Sequence, residues 1–499
     1  MKFHSVIFNV HELANQRPGG AYRIASYLRE HDWDVEVIEW ATLWTLEELQ
    51  ELARSRITQH TVFFGFSTFF AFWSQPMEDY AAWVKKTFPH VKIIIGGQSK
   101  PRMESKAVDY YITGFGEKAA LALLKSLTGN SEDGPPVTYD LKFFGKKKVI
   151  TANTYYPSFP MNKLMIKYED RDFLWPDEWL TMEFARGCIF KCLYCNFPIL
   201  GVKEDHTRTA EDFREQMMDA YDRFGITNYY VSDETFNDYT AKIVKFADAA
   251  ETLPFKPFFS GFMRADLLVS RPQDLEHILR LGFLGQFYGI ESMNWPSAKA
   301  IGKGMNPDKL LPGILDVRKY FKTHGDGIYR ANMALMIGLP HETEDTLLKT
   351  KRWLIDNWQG ETFEAWPLEI PLDYEQDVLS SLSKDWKKWG YRETDLHLRN
   401  IPASEGKYAE VKHGISNLNW ENDHMTYARA REISVEWRKE LRQLDFRINP
   451  FGLDRFMQDG DSIHDVLKLK VSETSAVIPG KDAVWKSRVA EYKRKKMDC

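Results

Sequence analysis

Short runs of β-branched and aromatic residues alternate with helix-like stretches over the first 130 or so residues, and the same rhythm resumes at Trp179. Strands that alternate with helices lie in parallel sheets covered on both faces, so this rhythm restricts the chain to α/β architectures. The first set supplies five strands: Ser5 to Val10, Val35 to Trp40, Val62 to Ser67, Lys92 to Gly96 and Tyr110 to Thr113. Helices such as Tyr22 to His31 and Met77 to Phe88 fall between them. Five such units predict a flavodoxin-like, doubly wound domain over residues 1–130. The second set supplies six: Leu180 to Ala185, Thr227 to Ser232, Phe258 to Met263, Gln286 to Ile290, Ala331 to Ile337 and Phe363 to Ile370. Helix-start signals at Thr209 and Thr343 punctuate them, and six βα repeats predict a partial (β/α)6 barrel over 179–370. Residues 131–178 are rich in Gly, Pro, Asn and Lys and read as a linker. From 371 to 499 the chain is more polar, with an amphipathic stretch at Met425 to Leu444 and a basic end, Lys493 to Lys496, and reads as a mostly helical accessory domain.

Composition narrows the setting. A net charge of -5 argues against a nucleic-acid binder. The most apolar stretch, Val62 to Trp73, falls short of the roughly 20 residues of a membrane span, and Val6 to Phe8 is too brief for a secretory signal. Only four cysteines occur and three lie within eight residues, which is not a disulfide framework. A cytoplasmic setting is expected.

Those three form Cys188-x3-Cys192-x2-Cys195, directly after a predicted strand, where the loops of a βα barrel open onto its active face. Thiolates are the usual ligands of iron–sulfur clusters, and three of them on a four-iron cluster leave one iron open to another ligand. Structural zinc would need a fourth ligand, for which His206 is the nearest candidate, and zinc sites usually come as paired C-x2-C knuckles. A non-catalytic protein using such a knuckle and the basic tail to bind nucleic acid is the alternative of a different class. Cys499 reads as a terminal thiol.

The spacing, with aromatic Tyr194 before the third cysteine, resembles the signature of the radical S-adenosylmethionine (SAM) superfamily. That resemblance implies a [4Fe–4S] cluster on Cys188, Cys192 and Cys195 whose open iron is chelated by the amino and carboxylate groups of SAM. It further implies an electron donor such as flavodoxin or ferredoxin and reductive cleavage to a 5′-deoxyadenosyl radical. Later strands end in matching motifs. In Ser232-Asp233-Glu234-Thr235 either acid suits the SAM ammonium. Arg264 could pair with the SAM carboxylate, and Glu291, in Gly289-Ile-Glu291-Ser292, could bind ribose hydroxyls. Gly338, in Ile337-Gly338-Leu339-Pro340-His341-Glu342-Thr343, resembles the family's adenine contact.

A doubly wound domain ahead of such a barrel resembles the cobalamin-binding class of the superfamily, over roughly residues 1 to 370. Its glycine-rich turns, Arg17-Pro18-Gly19-Gly20, Gly96-Gly97-Gln98 and Gly114-Phe115-Gly116-Glu117, lie at strand carboxyl ends, where open α/β sheets bind ligands. The resemblance makes Ser67, Gly97, Gln98 and Gly116 the candidate cobalamin contacts. A G-x-G-x-x-G fingerprint is missing after the first strand, which disfavours NAD. His11 stands where many cobalamin domains supply a cobalt ligand, but Asn9 and Ala14 replace the flanking Asp and Gly, so it reads as an ordinary loop histidine. The reading is a cobalamin-dependent methyltransferase acting on an unactivated carbon. The alternative is a non-methylating radical SAM enzyme performing rearrangement or oxidation. The substrate is not legible, although Trp366, Tyr374 and Trp420 could line its channel; core packing is the commoner role for such residues.

Overall fold

The computed structural model describes residues 4–11, 13, 16–68, 73–97, 105–131, 134–141, 147–152, 161, 164–197, 199–203, 206–325, 329–372, 380–394, 416–441, 444 and 481–498. The strands of the first domain are β1 (His4–Asn9), β3 (Asp34–Ile38), β4 (Thr61–Ser67), β5 (Lys92–Gly97) and β6 (Tyr110–Thr113). They pair in parallel in the order β3-β1-β4-β5-β6, the doubly wound arrangement that the alternation predicts. Both faces are buried because alternate side chains enter different cores. Ile7, Val35, Val37 and Phe63 pack with the helix Gly19–Arg29. Val6, Phe8, Phe64 and Phe66 pack with Tyr80 and Val84 of the helix Gln75–Thr87; Phe8 stacks on Phe66 at 5.0 Å and meets Tyr80 edge-on.

The first sheet does not stop at residue 130. Strand β7 (Tyr139–Leu141) and strand β8 (Lys147–Thr151) continue it, β8 parallel to β6 and β7 antiparallel to β8, so part of the expected linker belongs to the first domain. The Gly- and Lys-rich composition of that stretch concealed two short edge strands.

The barrel strands are β9 (Trp179–Met182), β10 (Asn228–Val231), β11 (Phe258–Met263), β12 (Phe283–Glu291), β13 (Arg330–Ile337) and β14 (Thr362–Pro367), all parallel and in sequence order. Thr209 and Thr343 cap the helices Ala210–Phe224 and Glu344–Asn357 as expected, accepting from Asp212 N at 3.0 Å and Thr346 N at 3.2 Å. A seventh strand was not anticipated. The dipeptide Gln16–Arg17, here β2, leaves the first domain and pairs parallel to β9. Thr181 seals this seam: its hydroxyl donates to Arg17 O at 3.0 Å and accepts from Gly19 N at 2.9 Å. A Cβ at Gly19 would lie 2.7 Å from Thr181 Cβ, so only glycine permits the approach.

The helix Lys481–Asp498 packs on the first domain, not on the barrel. Tyr492 is buried against Trp40 at 5.0 Å and its hydroxyl accepts from Glu39 N. Two of the basic residues at its end are tied to the first domain: Lys496 is 0% exposed and lies 3.0 Å from Glu36, while Lys493 pairs with Glu48 at 2.6 Å; Arg494 faces outward. The helix Tyr427–Leu441 packs on β13 and β14. No helix among the described residues is long and apolar enough to cross a membrane.

Candidate functional site

The carboxyl ends of the two parallel sheets face one another across a cavity of about 630 Å³, the edge where α/β sheets and barrels gather ligand-binding loops. The first domain contributes Ser67 at the end of β4, Gly96 and Gly97 at the end of β5, the turn Gly114–Glu117 after β6, and Pro18 to Gly20. The barrel contributes Cys188, Cys192, Tyr194 and Cys195, then Asp233, Glu234, Thr235, Arg264, Gly289, Glu291 and Lys303. Gln98 lies outside the described residues, as do Cys499 and Tyr374.

The cysteine loop is held on three sides. Cys188 N donates to Ile199 O at 3.0 Å, Leu193 N donates to Ile301 O at 3.1 Å, and Leu193 O accepts from Leu382 N at 3.0 Å. Cys195 N donates to Cys192 O at 3.1 Å, which closes the tight turn between those two. Polar groups approach the sulfurs: Thr235 Oγ1 is 3.3 Å from Cys188 Sγ, and Arg264 Nη1 is 3.8 Å from Cys192 Sγ. Burial pushes the Cys195 thiol up to about 11, with the neighbouring Cys192 and Cys188 adding to it, and burial also raises Cys188. Among the described residues no three His, Cys, Asp or Glu side chains converge on a point that would suit a single metal ion, His206 included. A cluster makes no such demand, because each thiolate binds a different iron, and polar donors near the sulfurs are what tune one.

The three carboxylates of the site differ. Asp233 accepts from Phe184 N at 2.7 Å and Ala185 N at 3.0 Å, pinning the turn that leads from β9 into the cysteine loop; burial pushes it up to about 7. Glu234 is the next residue, and its buried Oε2 has no partner. Burial, and then the Asp233 carboxylate, drive it well above the usual carboxylate range. Glu291 sits at φ 66° where β12 breaks register with β13. Its Oε1 accepts from Tyr194 OH at 2.7 Å, with Lys303 Nζ 3.5 Å away. Arg264 pairs with Asp266 at 2.6 Å and lies 3.7 Å over the Phe190 ring.

Several wall residues escaped the sequence reading. Glu183 and Arg186 flank the start of the cysteine loop and meet Arg23 and Glu117 of the first domain in a buried network. Arg23 pairs with Glu183 at 2.6 Å, Arg186 with Glu183 at 2.7 Å, and Arg186 also with Glu117. Glu183 is held down at about 2 despite burial, by Arg186 and then Arg23. Lys303 was missed because an isolated lysine carries no sequence signature, and Thr235 was read only as the end of the Ser232–Thr235 motif, with no role of its own.

Gly338, Trp420, Trp366 and His11 are not brought to the cavity wall. Gly338 takes φ 94°, and a Cβ there would lie 2.2 Å from the ring of Trp420, which the C-terminal region lays over the end of β13. The Gly338 carbonyl accepts from Tyr391 OH at 2.8 Å and its N–H donates to Glu342, so both backbone groups are satisfied internally. Trp420 is itself core, fully buried with its indole N–H on Leu368 O, whereas Trp366 is 41% exposed on the outside. His11 is also elsewhere: it is buried, Nε2 meets Glu39, and Nδ1 accepts from Leu13 N at 3.1 Å. Both ring nitrogens are occupied, in keeping with a loop histidine.

Residues 182–354 match the model of the radical SAM superfamily. Over 232 residues, 45% of this chain, the sequence is 27% identical to a protein of Methanocaldococcus jannaschii provisionally named a methylthiotransferase, and the match spans 50% of that protein. The fold extends further than the sequence likeness. A structure of the radical SAM methyltransferase TsrM from Kitasatospora setae, with cobalamin and a [4Fe–4S] cluster bound, aligns over 100% of both chains with a TM-score of 0.63 at 13% identity. The cobalamin-dependent SAM radical enzyme OxsB with aqua-cobalamin aligns over 99% of this chain and 72% of its own, with a TM-score of 0.60 at 14% identity. The thiol trio on the active face of the barrel and the family model over that barrel agree: residues 182–354 form a radical SAM domain, in a chain that shares the two-domain fold of the cobalamin-dependent radical SAM enzymes TsrM and OxsB.

Proposed function

We propose that this chain is a cobalamin-dependent radical SAM methyltransferase acting on an unactivated carbon. The observation that carries the proposal is the single cavity lined by the cysteine loop on one side and the glycine-rich strand ends of the first domain on the other, because methyl transfer to a substrate radical requires both cofactors to reach one carbon. The cavity volume is in the range of ligand sites. Gly96 fits a bulky planar ligand, since the nearest atom to a Cβ there is Ile112 O at 4.0 Å. When bound, SAM on the cluster supplies a carbon radical able to take hydrogen from an unreactive C–H, and cobalamin supplies a transferable methyl group.

The chain's own residues do the holding. Cys188, Cys192 and Cys195 would ligate the cluster, with Thr235 and Arg264 directed at its sulfurs. Glu234, whose buried oxygen lacks a partner, would accept the SAM amino group, while Asp233 holds the loop. Arg264 would face the SAM carboxylate, and Glu291, oriented by Tyr194 and Lys303, would present its second oxygen to the ribose. Ser67, Gly97 and Gly116 would border the corrin. Reduction would come from a flavodoxin or ferredoxin.

The test is product analysis. Anaerobically reconstituted protein should bind hydroxocobalamin one to one and release both 5′-deoxyadenosine and S-adenosylhomocysteine when reduced with extracts containing the substrate. Deoxyadenosine without S-adenosylhomocysteine would turn the assignment to the non-methylating alternative.

A further inference from the structure

The arginines and the lysine on the cavity wall have ionic partners, although Arg23 Nη1 and Arg186 Nη1 are buried without a hydrogen bond. Arg23 and Arg186 are matched by Glu183 and Glu117, Arg264 by Asp266, and Lys303 by Glu291. Asp233 spends both oxygens on backbone N–H groups. Of the carboxylates among the described wall residues, Glu234 keeps an oxygen, Oε2, with no partner, and the function proposed above commits it to SAM.

Deeper in the barrel the cavity wall is largely aromatic. Tyr230 on β10, Phe262 on β11 and Phe287 on β12 all line the cavity inside the mouth, with Tyr230 one layer deeper, in register with Ser260. Phe262 and Phe287 are in register across the strand pair, and their rings meet edge to face at 4.7 Å. The layer beneath is shut: Ser260 and Gly285 are also in register, and a Cβ on Gly285 would lie 2.5 Å from Ser260 Oγ. The barrel therefore ends in an aromatic floor over a sealed base. A charged group placed there would lose its hydration and meet no counter-charge, whereas a planar ring finds faces and edges to pack on.

We infer that the part of the substrate that enters the barrel is an uncharged, ring-sized apolar group. The inference rests on the reading that SAM occupies Glu234 and a corrin covers the apolar strand ends of the first domain, which leaves the floor as the apolar surface for the substrate.

A matched naphthyl series tests it by equilibrium dialysis against the protein carrying oxidised cluster, SAM and hydroxocobalamin. The neutral 2-naphthylmethanol should bind at one equivalent, at least about tenfold more tightly than 2-naphthoate or 2-naphthylmethylammonium. Phe287→Ala and Phe262→Ala should each weaken the alcohol about tenfold while the cluster absorbance and the cobalamin spectrum stay unchanged. Either ion binding as tightly as the alcohol, full affinity in both variants, or no binding of the alcohol would overturn the inference. Failure of the parent protein to take up cofactors would instead sink the function proposed above; the dialysis, repeated on the unloaded chain with the same variants, then judges the floor by itself.

Discussion

Asp233 and Glu234 are adjacent acids with different surroundings, and exchanging each for its amide separates their roles. Asp233→Asn keeps the shape but leaves one carbonyl oxygen for two backbone donors, at 2.7 and 3.0 Å. One buried N–H of the turn before the cysteine loop is then unpaired, at a cost of about 1–3 kcal/mol. Glu234→Gln removes no bond at Oε2, which has no protein partner, so stability should hold or rise slightly as a buried carboxyl is neutralised. If Glu234 receives the SAM amino group, the exchange removes a charge-assisted bond of about 1.5–3 kcal/mol, or roughly 10- to 150-fold in SAM affinity. Thermal denaturation of the cluster-free chain and SAM dialysis on the reconstituted protein give two readouts, and the two variants should cross: Asp233→Asn loses stability and cluster occupancy, Glu234→Gln loses SAM. The opposite crossing, with Asp233→Asn fully stable yet blind to SAM, would refute the division of labour.

His11→Ala should leave the spectrum of bound cobalamin unchanged, yet lower stability by about 1–3 kcal/mol, because Glu39 Oε2 is left buried without its partner while Oε1 keeps Asn9; a shifted cobalt spectrum would make His11 a ligand after all. Gly116→Leu should abolish hydroxocobalamin uptake without affecting iron content, since a Cβ there already lies 3.2 Å from Ile112 and Ile24; unchanged uptake would remove this turn from the site. Glu36 is held down at about 2 by Lys496 and then Arg56 in spite of burial, so its pairing stabilises the protein fully above the unfolded-state value of 4.5 and is lost as pH falls through about 2. The difference is worth about 3 kcal/mol. Trp485 fluorescence should therefore report release of the C-terminal helix at a higher pH in Lys496→Met than in the parent, and equal midpoints would show that the pair contributes nothing.

Eleven strands and the face on which they place their loops were legible because each strand carries several consecutive apolar residues, and a βα unit has one active end. The cysteines were legible because chemistry fixes their spacing. Contacts between distant, weakly marked segments were not. Gln16–Arg17 is too short and polar to read as a strand; it becomes one because β9 offers an open edge. The basic tail looks the same whether solvated or paired, and its partners Glu36 and Glu48 lie 460 and 445 positions away. At Gly338 the motif announced a close approach. It did not say that Trp420 would make it.

The docking of the last helix on the first domain also sets a timetable for synthesis. Val489 and Tyr492 complete a core built from β1, β3 and β4, so that core cannot finish until residues 481–498 have been made. Domains ordinarily fold in the order they emerge. Here Trp40, Glu36 and Glu39 would wait uncovered through the synthesis of the whole barrel, and a message truncated before residue 481 would leave a first domain without its cover. A first domain with its core closed would accordingly appear only after the helix Lys481–Asp498 has been made.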